Sequence, residues 1–129
     1  MCPLVLVVED EPSNLALMRT ILEKIGYGVV TASGREEALE AFRGYPTIDL
    51  LVADVNLRSG NGIEIAKMLV AQRSDLKVLL TSGWDDGITK ELGVSDLVHV
   101  FLPKPFTVSQ FRLAVESALN FRPSRSAAP

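Results

Sequence analysis

Five short runs rich in Val and Leu, alternating with longer stretches whose apolar residues fall three and four apart, constrain this chain more than any other feature. The runs are Leu4–Val8, Gly28–Ala32, Asp49–Ala53, Val78–Ser82 and Leu97–Leu102. The first, third and fourth are almost continuously apolar, the pattern of parallel strands covered on both faces. The longer stretches carry Leu15, Met18, Ile21, Leu22 and Ile25; then Ala38, Leu39 and Phe42; then Ile63, Ile65, Ala66, Leu69 and Val70; and finally Phe111, Val115, Ala118 and Leu119. That spacing puts one apolar stripe on each of a series of helices. The alternation predicts an α/β fold, a doubly wound parallel sheet with helices on its faces.

Punctuation supports the same division. Ser33-x-x-Glu36, Asn61-x-x-Glu64 and Thr107-x-x-Gln110 each place a capping oxygen three residues before a Glu or Gln, and Gly26 suits a left-handed helix stop. The weak element is Asp85 to Gly93, with few apolar residues, where the rhythm asks for a helix; a short or irregular fourth helix is expected there. The tail 122–129 holds two prolines and no periodic apolar residue, so residues 1–121 are expected to form one domain and 122–129 a flexible extension.

Composition closes off several function classes. At about 100–200 residues per domain, 129 residues make one domain. A net charge of −3 offers no basic excess for a phosphate backbone, so no direct nucleic-acid contact is expected. Leu4–Val8 is far short of the roughly 20 apolar residues that span a bilayer, and Glu9, Asp10 and Glu11 follow at once. No membrane insertion and a cytoplasmic location are expected. The single cysteine, Cys2, excludes an internal disulfide and reads as inert. Gly26-Tyr-Gly28 lacks the third glycine of a dinucleotide fingerprint, His99 reads as a structural strand residue, and Trp84 is open between a loop aromatic and a partner contact.

Ligands of open parallel sheets bind at the carboxyl ends of the strands. There this chain gathers Glu9-Asp10-Glu11, Asp54, Thr81-Ser82 and Lys104. Clustered carboxylates repel, so such a site calls for a cation. The donors are hard oxygens with no Cys or His among them, which points to Mg²⁺, a metal that takes one or two carboxylates and completes its shell with water and phosphoryl oxygens. Lys104 would add a point charge for the same phosphoryl group and Ser82 a short-reach hydroxyl. A carboxylate in such a setting can itself be the nucleophile and form an acyl phosphate.

At this point the chain resembles the receiver domains of two-component response regulators, from Leu4 to Leu119. The motifs are Val7-Val-Glu-Asp-Glu-Pro12, Asp54-x-Asn56 with Gly62 eight residues after Asp54, Ser82 followed by Gly83, and Phe101-Leu-Pro-Lys-Pro-Phe106. The resemblance implies a flavodoxin-like five-stranded parallel sheet, order 2-1-3-4-5, with five helices. It implies that Asp54 accepts a phosphoryl group from a phosphohistidine on a histidine kinase or phosphotransfer protein. It implies Asp10 and Asp54 as Mg²⁺ ligands, Asn56 as a backbone-carbonyl ligand, Glu9 as an acid acting through water, and Lys104 as a phosphoryl contact before a cis bond to Pro105. Such a domain is a switch that catalyses only its own phosphorylation and dephosphorylation, read out by an output protein that the sequence does not identify.

Thr81 and Ser82 both offer a hydroxyl; Ser82 is preferred because a small residue follows it, and Phe101 then matches the family's switch aromatic. Asn56 is placed to steer water during dephosphorylation. Two departures stand out. Arg58 holds the place, four after Asp54, where the family often has Pro, which predicts a more flexible loop. Asp85 to Gly93 is glycine-containing where the family builds part of its output face. Two other function classes compete. One is a binding module with this fold that no longer uses phosphate. The other is a Mg²⁺-dependent phosphatase resembling the haloacid dehalogenase family, which needs two aspartates spaced by one on its first strand, whereas this chain has Glu9-Asp10 there and Asn56 after Asp54.

Overall fold

The computed structural model describes residues 3–57, 60–82 and 100–120. The main sheet comprises β1 (Leu4–Val8), β2 (Gly28–Ala32), β3 (Leu50–Asp54), β6 (Lys77–Ser82) and β7 (Val100–Pro103), all parallel, in the spatial order β2-β1-β3-β6-β7. Renumbered within that sheet alone, this is the expected 2-1-3-4-5 order. Among the described residues the helices are α1 (Pro12–Ile25), α2 (Arg35–Gly44), α3 (Gly62–Gln72) and α4 (Val108–Leu119).

Strand alternation sorts the core into two layers. Leu6, Val8, Leu51, Ala53, Val78 and Leu80 face α2 and α3, packing on Ala38, Phe42, Ile63, Ala66 and Leu69. Val5, Val7, Leu50, Val52 and Leu79 face the other way, against Met18, Ile21 and Leu22 of α1 and Phe111, Val115 and Ala118 of α4. Every residue of β3 is therefore buried, which is why its run shows no polar alternation.

The helix ends largely follow the expected chemistry. Asn61 accepts from the Ile63 amide, Thr107 and Gln110 form a reciprocal capping box, and Gly26 closes α1 at φ 111°. The Ser33-x-x-Glu36 box does not form. Gly34 is the N-cap of α2, with no side-chain bond, and Ser33 instead donates its amide (2.6 Å) and hydroxyl (2.9 Å) to Glu37 Oε1, one position further on. α1 starts from Glu11, whose carboxylate accepts from the Asn14 amide.

The loop after Asp54, expected to be more flexible, pairs its described residues into a small antiparallel ladder. β4 (Asn56–Leu57) lies against β5 (Gly60–Asn61), Asn56 opposite Asn61 and Leu57 opposite Gly60, where Gly60 supplies a φ of 154°. Leu57 is buried in the α2/α3 layer, which ties the ladder to the core. Among the described residues no helix is long and apolar enough to cross a membrane. Cys2, Arg58, Gly83, Trp84, the Asp85 to Gly93 segment, His99 and the tail 122–129 lie outside the described residues.

Candidate functional site

β1 has β2 on one side and β3 on the other, so the chain's winding reverses between β1 and β3, and the carboxyl ends of those two strands flank the crevice where such sheets bind ligands. Glu9 follows β1 and Asp54 ends β3. Both are buried, Glu9 to 1% and Asp54 to 6% exposure, inside the end of an otherwise apolar sheet. Lys104, just past β7, reaches both: its Nζ lies 2.9 Å from Asp54 Oδ2 and 3.2 Å from Glu9 Oε1. Side chains 95 and 50 residues apart in sequence thus meet at one ammonium.

Each carboxylate is also held from behind. Glu9 Oε2 accepts from the Glu11 amide (3.1 Å), and Asp54 Oδ1 accepts from the Asn56 amide (3.2 Å). Burial lifts the Glu9 carboxyl above its ordinary range, and the Asp54 charge adds to this, against the opposing pull of the Glu11 amide and Lys104. For the Lys104 ammonium burial works downward, but the hydrogen bond to Asp54 and the charges of Asp54 and Glu9 outweigh it and hold the group above its usual value. Two carboxylates against one ammonium leave the pocket negative even before half-buried Asp10 is counted.

Gly62, the first residue of α3, donates its amide to Val55 O at 3.1 Å and passes so close to β3 that a Cβ there would collide with the Asp54 carbonyl. The glycine eight residues after Asp54 is a close-approach requirement, which keeps α3 against the strand bearing the carboxylate.

At the end of β6 the two hydroxyls point to opposite faces. Leu80 and partly buried Phe101 belong to the α2/α3 layer, and Leu80 is in register with Phe101, so Ser82, two residues beyond Leu80, shares their face. Thr81 shares the face of Leu79, in register with Asp54; it is fully buried, and its Oγ1 has no hydrogen-bond partner among the described residues. The Ser82 carbonyl accepts from the Lys104 amide at 2.7 Å, and the Lys104–Pro105 bond is cis.

Glu9, Asp54 and Lys104 are therefore brought together, Asn56 sits on the Asp54 carboxylate through its amide, and Ser82 is linked to Lys104 through the backbone. No three His, Cys, Asp or Glu side chains among the described residues form a ready-made metal cage. The donors are nevertheless all hard oxygens, and buried, mutually repelling carboxylates suit Mg²⁺, which takes few protein ligands and retains water. Sequence reasoning paired Lys104 with a phosphoryl group and missed its contact with Glu9. It also gave no role to Phe106, whose ring stacks on Phe111.

The family model for the response regulator receiver domain matches residues 5–116. The chain belongs to the response regulator receiver family. It is 37% identical over 125 residues to the alkaline phosphatase synthesis transcriptional regulatory protein PhoP of Bacillus subtilis, covering 97% of this chain and 51% of PhoP. To the regulatory protein VirG of Agrobacterium tumefaciens it is 32% identical, over 93% of this chain and 45% of VirG. The receiver domain thus spans about half the length of the curated relatives it matches. Among solved structures, the non-phosphorylated HemR receiver domain of Leptospira biflexa superposes with a TM-score of 0.83 at 32% identity, over 94% of this chain and 98% of that one. The response regulator TrrA of Thermotoga maritima, solved in complex with Mg²⁺ and BeF, gives 0.80 at 26% identity, over 90% and 98%. The chain is thus a receiver domain of the two-component type, a signalling switch. Receiver domains generally bind Mg²⁺, and response regulators work with histidine kinases and output domains.

Proposed function

We propose that this receiver domain takes a phosphoryl group onto Asp54 from a phosphohistidine of a histidine kinase or histidine phosphotransfer protein. The observation that carries the reading is Lys104 Nζ placed 2.9 Å from a buried Asp54 carboxylate at the switch point of the sheet. An Asp54 oxygen attacks phosphorus, the phosphorus–nitrogen bond to the donor histidine breaks, and an acyl phosphate forms. Lys104 moves from neutralising the carboxylates to neutralising the phosphoryl oxygens. Asp10 and Asp54, with the Asn56 carbonyl, would hold Mg²⁺, and Glu9 would act through water. The ion would supply charge neutralisation at the phosphoryl oxygens.

Ser82 and Phe101 form the switch pair, supported by the face they share at the end of β6 and β7. Asn56 lies where it would orient water toward the acyl phosphate. The receiver unit runs over 1–121, and an output element reads its state.

Intact-mass measurement after incubation with Mg²⁺ and acetyl phosphate tests this. The wild type is expected to gain one phosphoryl group, and Asp54→Ala or chelator-treated protein none. An adduct of equal yield on Asp54→Ala would overturn the assignment of Asp54, and no adduct on the wild type together with no Mg²⁺ binding in a titration would favour the phosphate-independent module.

A further inference from the structure

Lys104 has a long, flexible stem, so what fixes its ammonium between Glu9 and Asp54 must be sought in the backbone that carries it. Upstream, its amide is bonded to the Ser82 carbonyl at 2.7 Å. Downstream, Pro105 has no N–H to donate, and the next residue, Phe106, lays its ring on Phe111 with centroids 5.5 Å apart and planes 17° from parallel. Phe111 is fully buried in the α1/α4 layer, and Phe106 packs against that same cluster. The capping box then starts immediately, with the Thr107 amide on Gln110 Oε1 at 2.8 Å and the Gln110 amide on Thr107 Oγ1 at 3.0 Å. Lys104 is thus suspended between β6 and the first turn of α4, and the Phe106 ring is the anchor at the α4 end.

We propose that Phe106 is a positioning residue for Lys104, its stack on Phe111 setting the height at which the ammonium meets the two carboxylates. The proposal rests on the reading of Lys104 as the phosphoryl contact, but it has a consequence that does not depend on phosphorylation. A misplacement of about 1 Å in a catalytic group can cost on the order of 100-fold in rate. Phe106→Leu, which keeps apolar volume and loses the stack, and Phe106→Ala should therefore slow phosphorylation by acetyl phosphate at least tenfold. Mg²⁺ binding, measured by calorimetry, should be no weaker than in the wild type, because Asp10 and Asp54 are placed by β1 and β3. Phe42→Leu, in α2 under the Arg73 guanidinium and on the other face of the sheet, serves as the control for a general loss of stability and should leave the rate within twofold.

In parallel, acylation of Lys104 by an amine reagent, read by peptide mass spectrometry without Mg²⁺ or phosphodonor, should quicken at least fivefold in Phe106→Ala. Wild-type-like Lys104 labelling in Phe106→Ala overturns the proposal, as does a phosphorylation rate in the Phe106 variants equal to that of Phe42→Leu. If the wild type itself takes no phosphoryl group, the assignment of Asp54 fails while the labelling result still decides the role of Phe106.

Discussion

At the scale of single residues, the site contains two polar groups, Thr81 and Glu9, whose burial costs stability at neutral pH. Thr81 hides a hydroxyl with no hydrogen-bond partner among the described residues, and such a group costs about 1–3 kcal/mol of desolvation. Thr81→Val keeps the branched shape that suits a strand and removes the hydroxyl, so it should raise stability by about 1 kcal/mol while leaving acetyl phosphate labelling unchanged. A urea midpoint below that of the wild type would contradict this. Glu9 is buried but paired, and its carboxyl is held above the ordinary value of 4.5, chiefly by burial. The folded chain therefore holds this proton more tightly than the unfolded one. The associated stability is fully present below pH 4.5 and is lost as pH rises through the folded value. With chelator present, Glu9→Gln should be more stable than the wild type at pH 7, and the difference should shrink to nothing near pH 4. Urea titrations at the two pH values check it; a pH-independent difference would count against the burial argument.

Among elements, the contact between β3 and α3 determines where the Asp54 carboxylate sits. Gly62→Ala drives a Cβ into the Asp54 carbonyl, a backbone atom unable to yield as a side chain can, so a loss of about 2 kcal/mol is expected together with weaker Mg²⁺ binding. Unchanged denaturation and Mg²⁺ titrations would show that α3 can retreat at no cost. Elements were legible in the sequence wherever burial alone determines the pattern. β1 and, up to Asp54 at its end, β3 are apolar because helices cover both faces, and Gly26, Asn61 and Thr107 ended or began helices by local hydrogen bonds. Ser33 misled because its amide and hydroxyl could reach Glu37 as well as Glu36, a choice made by the turn's geometry and not by residue type. The β4/β5 ladder was invisible for a similar reason. Each of its strands has two residues, too few for a period, and what fixes it is the burial of Leu57 and the backbone freedom of Gly60.

On the scale of the whole molecule, the parallel order β2-β1-β3-β6-β7 brings the ends of β1, β3 and β7 to one edge, and with them a carboxylate pair and a lysine. That convergence could be anticipated, because carboxyl strand ends are where such sheets place polar groups they need. The pairing itself could not. Nothing local to Lys104 encodes its 3.2 Å contact with Glu9, or the Ser82 carbonyl and Phe106 ring that hold its backbone. Those depend on the register that sets Pro103 opposite Ser82 and on the short span from there to α4. On the function proposed above, this edge makes Asp54 the acceptor of a phosphoryl group. The most direct measurement is borohydride reduction of protein treated with Mg²⁺ and acetyl phosphate, which turns an aspartyl phosphate into homoserine, followed by peptide mass spectrometry. Homoserine at position 54 alone, absent when Mg²⁺ is chelated, is the result predicted; homoserine at another aspartate, or none at 54 despite an intact-mass adduct, would contradict it.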